Sequence, residues 1–401
     1  MVTKAGYRLL NGITLGVEEE FFVSPKYKIE ASAAQPIIEH ILADLKGYLE
    51  ERAEKELFLY QIELKTGICH SFDEVRRDIF DYRLKLKQVL DKFDCVTFAC
   101  GTHPFIDWRD VPRKQALRTL AYKTAIADGM ASCGMHTHIG VEDPVSRFAL
   151  YNFLRGYLPL FLALSASSAF WNGKWTKLLA YRPSIIARLP RGGVPPPFQH
   201  LEFQDYLGAL DSVEEKWELV QGHWFLRPHR KFPTIEVRIM DMCPDVGDAL
   251  AIIALIACLS ASFLANPERW TGASASVADE ILILSDEPRQ HLLAESIWIV
   301  QRKGLRASIL AQRKGQIKQA RILDVLATLV DELKPVAAEL NCLESLLHLK
   351  TLETRGTSSD RQLAAYRDEI AATGESTLAL RRVALGVLRD FGYQDDPDIA
   401  L

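Results

Sequence analysis

Thr14-Leu15-Gly16-Val17-Glu18-Glu19-Glu20-Phe21-Phe22-Val23 is the stretch on which the reading of this chain turns. Its aliphatic and aromatic residues predict a strand over Ile13 to Val23. Successive side chains of a strand point to opposite faces, so Glu18 and Glu20 share one face. An acidic triplet is ordinarily a solvated surface. Placed inside an otherwise apolar strand, it points to function instead.

Three further candidate strands carry polar pairs at the same spacing. Leu57 to Leu64 puts Gln61 and Glu63 on one face, with Lys65 beyond them. Met135 to Val141 does so with His136 and His138, and Thr234 to Met240 with Glu236 and Arg238. The residues between are apolar or small (Ile62, Leu64, Thr137, Ile139, Val237, Ile239) and suit a face packed under helices. If the four polar faces form one surface, it holds four carboxylates, two imidazoles and an arginine. Packed carboxylates repel one another unless cations sit between them. Oxygen-rich clusters with a minority of imidazole suit Mg²⁺ or Mn²⁺ better than Zn²⁺, and Mg²⁺ held this way usually also holds phosphates. Arg238 would then grip a phosphate.

Cys95 to Cys100 reads as a fifth strand, and Ser71-Phe72-Asp73-Glu74 is a capping box opening a helix. Phe72, Val75, Ile79, Leu86, Val89 and Phe93 fall on one face of that helix. From about Ser274 the pattern is almost purely helical, without a linker before it. The expected organisation is one domain, 1–401, with residues 274–401 mainly helical and packed on the rest. The loop Arg191 to Pro197 reads as an ordered loop over a site. Ala249 to Ala265 carries no charge but is shorter than the ~20 residues of a spanning helix. It starts beside Asp245 and Asp248 and reads as a buried, capped helix.

The chain has 401 residues, 48% of them hydrophobic, enough for a large core. Net charge is −4, which offers no basic field for nucleic acid or an anionic membrane. Seven scattered cysteines without a CxxC pair suggest reduced thiols and a cytoplasmic location, and the N-terminus lacks a signal-peptide pattern. No P-loop, dinucleotide-binding glycine turn or G-x-S-x-G elbow is present.

Gly16-Val17-Glu18-Glu19-Glu20-Phe21, Gln61-Ile62-Glu63-Leu64-Lys65-Thr66, Gly101-Thr102-His103-Pro104-Phe105 and Gly134-Met135-His136-Thr137-His138-Ile139-Gly140-Val141 occur in that order. Leu164-Ser165-Ala166-Ser167-Ser168, Arg182-Pro183, Arg227-Pro228 and Pro233-Thr234-Ile235-Glu236-Val237-Arg238 follow. Together they resemble the type 2 glutamate–cysteine ligase, or carboxylate–amine ligase, family over nearly the whole chain. Toward the C-terminus the match loosens: Glu295-Ser296-Ile297-Trp298 has Ser where the family has Asn, and Gly356 to Gln362 resembles a late Gly/Ser/Gln segment. The resemblance implies an α+β, glutamine synthetase-like fold: a curved, mainly antiparallel sheet with the site on its concave face and helices on the other. It implies an ATP-dependent ligase that forms an amide bond through an acyl phosphate, with glutamate and cysteine as the family's substrates. By the same resemblance Glu18, Glu20, Glu63, His136 and Glu236 would hold Mg²⁺ or Mn²⁺, with Glu56 a further addition. Arg238 would meet the transferred phosphate, with Glu63 and Glu236 sharing the catalytic role. His138, Arg182 and Arg227 would lie near ATP or the acidic substrate. A homo-oligomer, a dimer, is expected.

Two other readings use the same residues. Cys133-x2-His136-x-His138 could serve a zinc- or manganese-dependent amide hydrolase, although His200, His223, His229 and His291 sit in loop-like or helical contexts unsuited to completing such a site. The fold could also persist as a non-catalytic nucleotide-binding relative. His103, opening a turn, suits a structural role as well as a site role and is left out of the ligand set.

Overall fold

A computed structural model describes residues 12–112, 131–189, 191–213, 222–271, 290–313 and 316–393. The expectations for the N-terminus up to residue 11, and for the first part of the helical region, at 274–289, lie outside the described residues.

The strands are β1 (Thr14–Pro25), β2 (Ala53–Lys55), β3 (Gln61–Lys65), β4 (Cys95–Phe98) and β5 (Met135–Gly140). Then come the short β6 (Phe170–Trp171), β7 (Lys174–Trp175), β8 (Gly192–Gly193) and β9 (His223–Trp224). β10 (Leu226–Pro228), β11 (Thr234–Val237), β12 (Ser308–Arg313) and β13 (Gln316–Arg321) complete the set. Seven strands form one sheet in the order β10-β11-β5-β1-β3-β2, with β4 pairing the far end of β1, and every pairing in it is antiparallel. This is the expected α+β architecture. The predicted strand over Leu57 to Leu64 is shorter than expected, because residues 56–60 turn the chain back from β2 into β3.

The register does what the alternation required. Glu18 faces His136 on one side and Lys65 on the other, Glu20 faces Glu63, and Glu236 faces His138 and Arg227. All therefore rise from the same face. The opposite face carries Val17, Phe21, Ile62, Leu64, Ile139, Ile235 and Val237, all buried. The helix Phe72–Lys92 covers part of that face. Ser71 caps its first turn, and Phe72, Val75, Ile79, Leu86 and Val89 are buried as the spacing predicted.

Val246–Ala265 is long and apolar enough to cross a membrane by composition, with mean hydropathy 2.2 in its most apolar window, but 89% of that window is buried inside the protein. Asp245 caps it through the backbone amides of Gly247 and Asp248, the capped core helix that the acidic start implied. The region beyond residue 290 is mostly helical, with one correction. Ser308–Arg313 and Gln316–Arg321 form an antiparallel hairpin. Neither strand alternates cleanly, since Leu310 follows Ile309, and Gly315 is the turn signal in the sequence between them. The late segment docks on the Ser165–Ser168 stretch: the Ser359 amide donates to Ala166 O at 2.9 Å, and Gln362 Nε2 to Ser167 O at 3.3 Å. All seven cysteines are buried free thiols.

Candidate active site

Five neighbouring strands of the sheet, β10, β11, β5, β1 and β3, bring the predicted residues together. His136 Nδ1 lies 3.3 Å from Glu18 and 3.7 Å from Glu236, and its Nε2 4.0 Å from Glu20. His138 Nε2 lies 3.5 Å from Glu18 and 3.9 Å from Glu236. Lys65 reaches Glu63 at 2.8 Å and Glu18 at 3.9 Å. Arg227 Nε donates to Glu236 Oε2 at 2.7 Å, and Arg238 pairs with Glu236 Oε1. Arg182 enters from the helix Arg182–Ile186. Its Nη1 donates to Arg238 O and Met240 O at 3.0 and 3.1 Å, and its Nη2 lies 3.3 Å from His136 Nε2. Gly134 makes that approach possible, because a Cβ there would collide with the Arg182 guanidinium and His136 Nε2.

The electrostatics divide the cluster. Burial pushes the Glu63 carboxyl well above the carboxylate range, and Glu18 and Glu56 push it further. Burial likewise raises Glu20. Burial opposes ionisation of Glu18 and Glu236 too, but His136 and His138 hold Glu18 well below the usual range, and Arg227 and Arg238 hold Glu236 below it. Burial and Arg238 depress His136, whereas Glu236 and Glu18 outweigh burial and raise His138. The acidic end of the site crowds Glu20, Glu56 and Glu63 together, with Glu20 and Glu63 pushed up chiefly by burial.

That end suits hard cations. Three triplets each place one ligand atom per residue within 4.8 Å of one another: Glu18, His136 and Glu63; Glu18, His138 and Glu236; Glu20, Glu56 and Glu63. Glu56, from the β2–β3 connection, completes the last one. Among the described residues every such triplet containing His136 or His138 is completed by glutamates. Cys133 instead accepts from Gln61 Nε2 at 3.4 Å. The donor set fits Mg²⁺ or Mn²⁺ and does not favour a zinc hydrolase. Arg227 and Glu236 also face each other across β10 and β11 as a cross-strand ion pair.

His103 is structural. It is buried, burial lowers its pKa to about 3, and its Nδ1 accepts from the Phe105 and Ile106 amides, both at 3.2 Å. Glu19 also departs from its neighbours. It lies on the covered face, paired with Arg83 at 2.5 and 2.7 Å. Sequence reasoning gave no site role of their own to two residues near Arg227 and Arg238: His223, set aside as loop-like, and Arg191, which opens the proline-rich loop. His223 is depressed to about 3 by burial and by Arg238, Arg227 and Arg191, so it stands among the arginines beside Glu236. A two-residue strand such as β9 gives no periodicity to detect it by.

An antiparallel sheet with helices packed on one face places this chain in the glutamate–cysteine ligase fold. A solved glutamate–cysteine ligase from Francisella tularensis in complex with AMP superposes with a TM-score of 0.63 at 12% identity, covering 98% of this chain and 91% of that one. A bifunctional glutathione synthetase from Pasteurella multocida does so with a TM-score of 0.63 at 12% identity, over 95% of this chain and 53% of that one. Residues 14–384 match the model of glutamate–cysteine ligase family 2, and the chain belongs to that family. Proteins provisionally named glutamate–cysteine ligase 2 are similar along nearly their full length. One from Jannaschia sp. is 32% identical, covering 94% of this chain and 96% of its own. One from Ectopseudomonas mendocina is 31% identical, covering 92% and 94%.

Proposed function

We propose that this chain joins a carboxylate to an amine in two steps at the face of the central sheet. The carboxylate oxygen attacks the γ-phosphorus of ATP and releases ADP, giving an acyl phosphate. The amine nitrogen then attacks the acyl carbon and expels phosphate. Glutamate and cysteine are the substrates this reading favours, through the names of its relatives. The observation that carries it is the pairing of Arg238 with Glu236 beside glutamate and histidine triplets whose ligand atoms lie close enough to share a cation.

Glu18, Glu20, Glu63, His136 and Glu236, with Glu56, would hold magnesium, which supplies charge neutralisation on the phosphates. Arg238 grips the transferred phosphoryl group, and Arg227 shields Glu236. Arg182, held by backbone carbonyls and pressed on His136, fixes the imidazole and offers charge to an acidic substrate. His138, between Glu18 and Glu236, lies beside the same phosphates. The protein works in the cytoplasm as one catalytic unit that pairs into a homodimer. Light scattering showing only a 45.2 kDa species at micromolar concentration breaks the dimer reading.

The test is an ADP-release screen of carboxylate–amine pairs with Mg²⁺ or Mn²⁺, products identified by mass spectrometry and EDTA as the control. Glutamate with cysteine should release ADP and yield the amide, and EDTA should abolish both. Full activity after exhaustive chelation, or no ADP release with any pair, rejects the reading.

A further inference from the structure

Asp241 is a fully buried carboxylate that belongs to none of the ligand triplets, yet it reaches the site through its neighbours. It follows the strand that carries Glu236 and Arg238, and an isolated antiparallel bridge pairs it with Gly134. Its Oδ2 accepts from the Ser167 amide at 2.9 Å and from Ser168 Oγ at 2.6 Å. Ser168 Oγ in turn accepts from the Arg182 amide at 3.1 Å. At its other end Arg182 donates from Nη1 to Arg238 O and Met240 O, carbonyls of the segment that leads into Asp241. Burial works against the Arg182 charge, and Glu20 and Asp241 are the carboxylates that support it. Asp241 therefore holds Arg182 twice, through one hydroxyl at the backbone and by charge at the guanidinium.

Two glycines clear the space for this. A Cβ at Gly101 would collide with the Asp241 carboxylate, and one at Gly134 with the Arg182 guanidinium. The helix Ser358–Thr373 closes the arrangement from behind: Ser359 Oγ donates to Leu179 O at 2.5 Å, just before Arg182, and Gln362 Nε2 donates to Ser167 O at 3.3 Å.

Stability alone does not call for a carboxylate here. Burial pushes Asp241 up to about 6, so at neutral pH the protein carries an ionised group that burial opposes. Its Oδ1 and Arg182 Nε are both buried without a hydrogen-bond partner among the described residues. Asparagine has the same shape, could accept from Ser167 and Ser168 with its one oxygen, and would avoid the buried charge. What the carboxylate adds is negative charge behind Arg182. We propose that Asp241 is a positioning residue: without touching substrate, it balances the pull of Glu20 on Arg182 and keeps the guanidinium where an acidic substrate meets it. This rests on the ligase reading above, in which Arg182 serves the acidic substrate, and adds the group that sets Arg182 in place.

The test measures ADP release by the full chain and its variants, with the pair that the substrate screen identifies, glutamate and cysteine on the present reading. In Asp241→Asn the KM for the carboxylate should rise about tenfold or more, as expected when a charge-assisted interaction is weakened, with the KM for ATP held within about twofold. Denaturant melts at pH 7 should show stability no lower than wild type. Ser168→Ala, which removes the hydroxyl between Asp241 and the Arg182 amide, should raise the same KM, and Ser168→Thr, which restores a hydroxyl, should recover it. If Asp241→Asn does not fold, the two Ser168 variants carry the inference. An unchanged carboxylate KM in the folded variants overturns it. So does a loss of stability in which both KM values rise together, which would make Asp241 a structural carboxylate only. A wild-type chain that releases no ADP with any pair removes the ligase reading and this inference with it, a result distinct from normal wild-type turnover beside unaltered variants.

Discussion

Glu18, Glu19 and Glu20 are consecutive and chemically identical, yet they serve two unlike polar regions. On the covered face Glu19 meets Arg83 at 2.5 and 2.7 Å, and Arg83 also donates to Pro244 O at 2.8 Å and Cys243 O at 3.0 Å. Charge and hydrogen-bonding capacity are satisfied internally. A second network near the start of the helix Val246–Ala265 is similar: Arg355 pairs with Asp245 and Asp248, and Arg361 with Asp390. On the open face Glu20, Glu56 and Glu63 crowd together, and Glu63 is pushed up by burial and by its carboxylate neighbours. A buried polar group can thus be arranged to need nothing further or arranged to need a ligand. The difference lies in the balance of charge around it, not in residue type.

The contrast breaks most visibly at Arg83. Arg83→Met leaves the buried Glu19 carboxylate without its cation, and breaking such a pair costs on the order of 3–5 kcal/mol. Denaturant melts should show that loss, with the Mg²⁺ dependence of the surviving folded protein unchanged. A variant as stable as wild type would mean that Glu19 is not held in the way its geometry indicates.

Arg238→Lys should do the opposite. Lysine keeps the charge but loses the planar fork, and losing one preorganised donor at a charged transition state costs on the order of 100-fold in kcat. The melting temperature should stay near wild type. Early melting with wild-type ADP release would reduce Arg238 to the ion pair it makes with Glu236.

Asp241 offers a pH-dependent case away from the carboxylate cluster. It is fully buried, accepting from the Ser167 amide at 2.9 Å and from Ser168 Oγ at 2.6 Å. Burial raises its pKa from 3.8 to about 6, against the pull of Arg182. A carboxyl with a raised folded-state pKa binds its proton more tightly when folded. Its stabilising contribution is therefore present below pH 3.8 and is lost as pH rises to about 6. At about 1.4 kcal/mol per unit the loss is roughly 3 kcal/mol. Asp241→Asn should flatten stability across that window in denaturant melts at several pH values. An unchanged profile would move the titration elsewhere.

Glu63→Gln gives the smallest change. Relieving carboxylate repulsion should raise the stability of the metal-free protein slightly, while the further rise in melting temperature on adding Mg²⁺, expected of wild type, should shrink. A variant destabilised without metal and still responsive to Mg²⁺ would place Glu63 with Glu19, as a structural carboxylate.

Alternation in the sequence made much of this legible. The i, i+2 pairs at Glu18 and Glu20, Gln61 and Glu63, His136 and His138, and Glu236 and Arg238 fixed which side chains share a face, because strand geometry is local. The capping residues Ser71 and Asp245 and the apolar run after Asp248 announced their helices for the same reason. The hairpin of Ser308–Arg313 and Gln316–Arg321 has no clean alternation to mark it, so its pairing is not legible in the sequence. Register, cross-strand partners and electrostatic balance depend on residues far apart in the chain. Only tertiary structure could send Glu19 to Arg83, bring Glu56 beside Glu20 and Glu63, press Arg182 onto His136 over Gly134, and set Asp241 against Ser167 and Ser168. Local periodicity says which way a side chain points, whereas its charge state and its job are set by whatever the folded chain brings within a few ångströms of it.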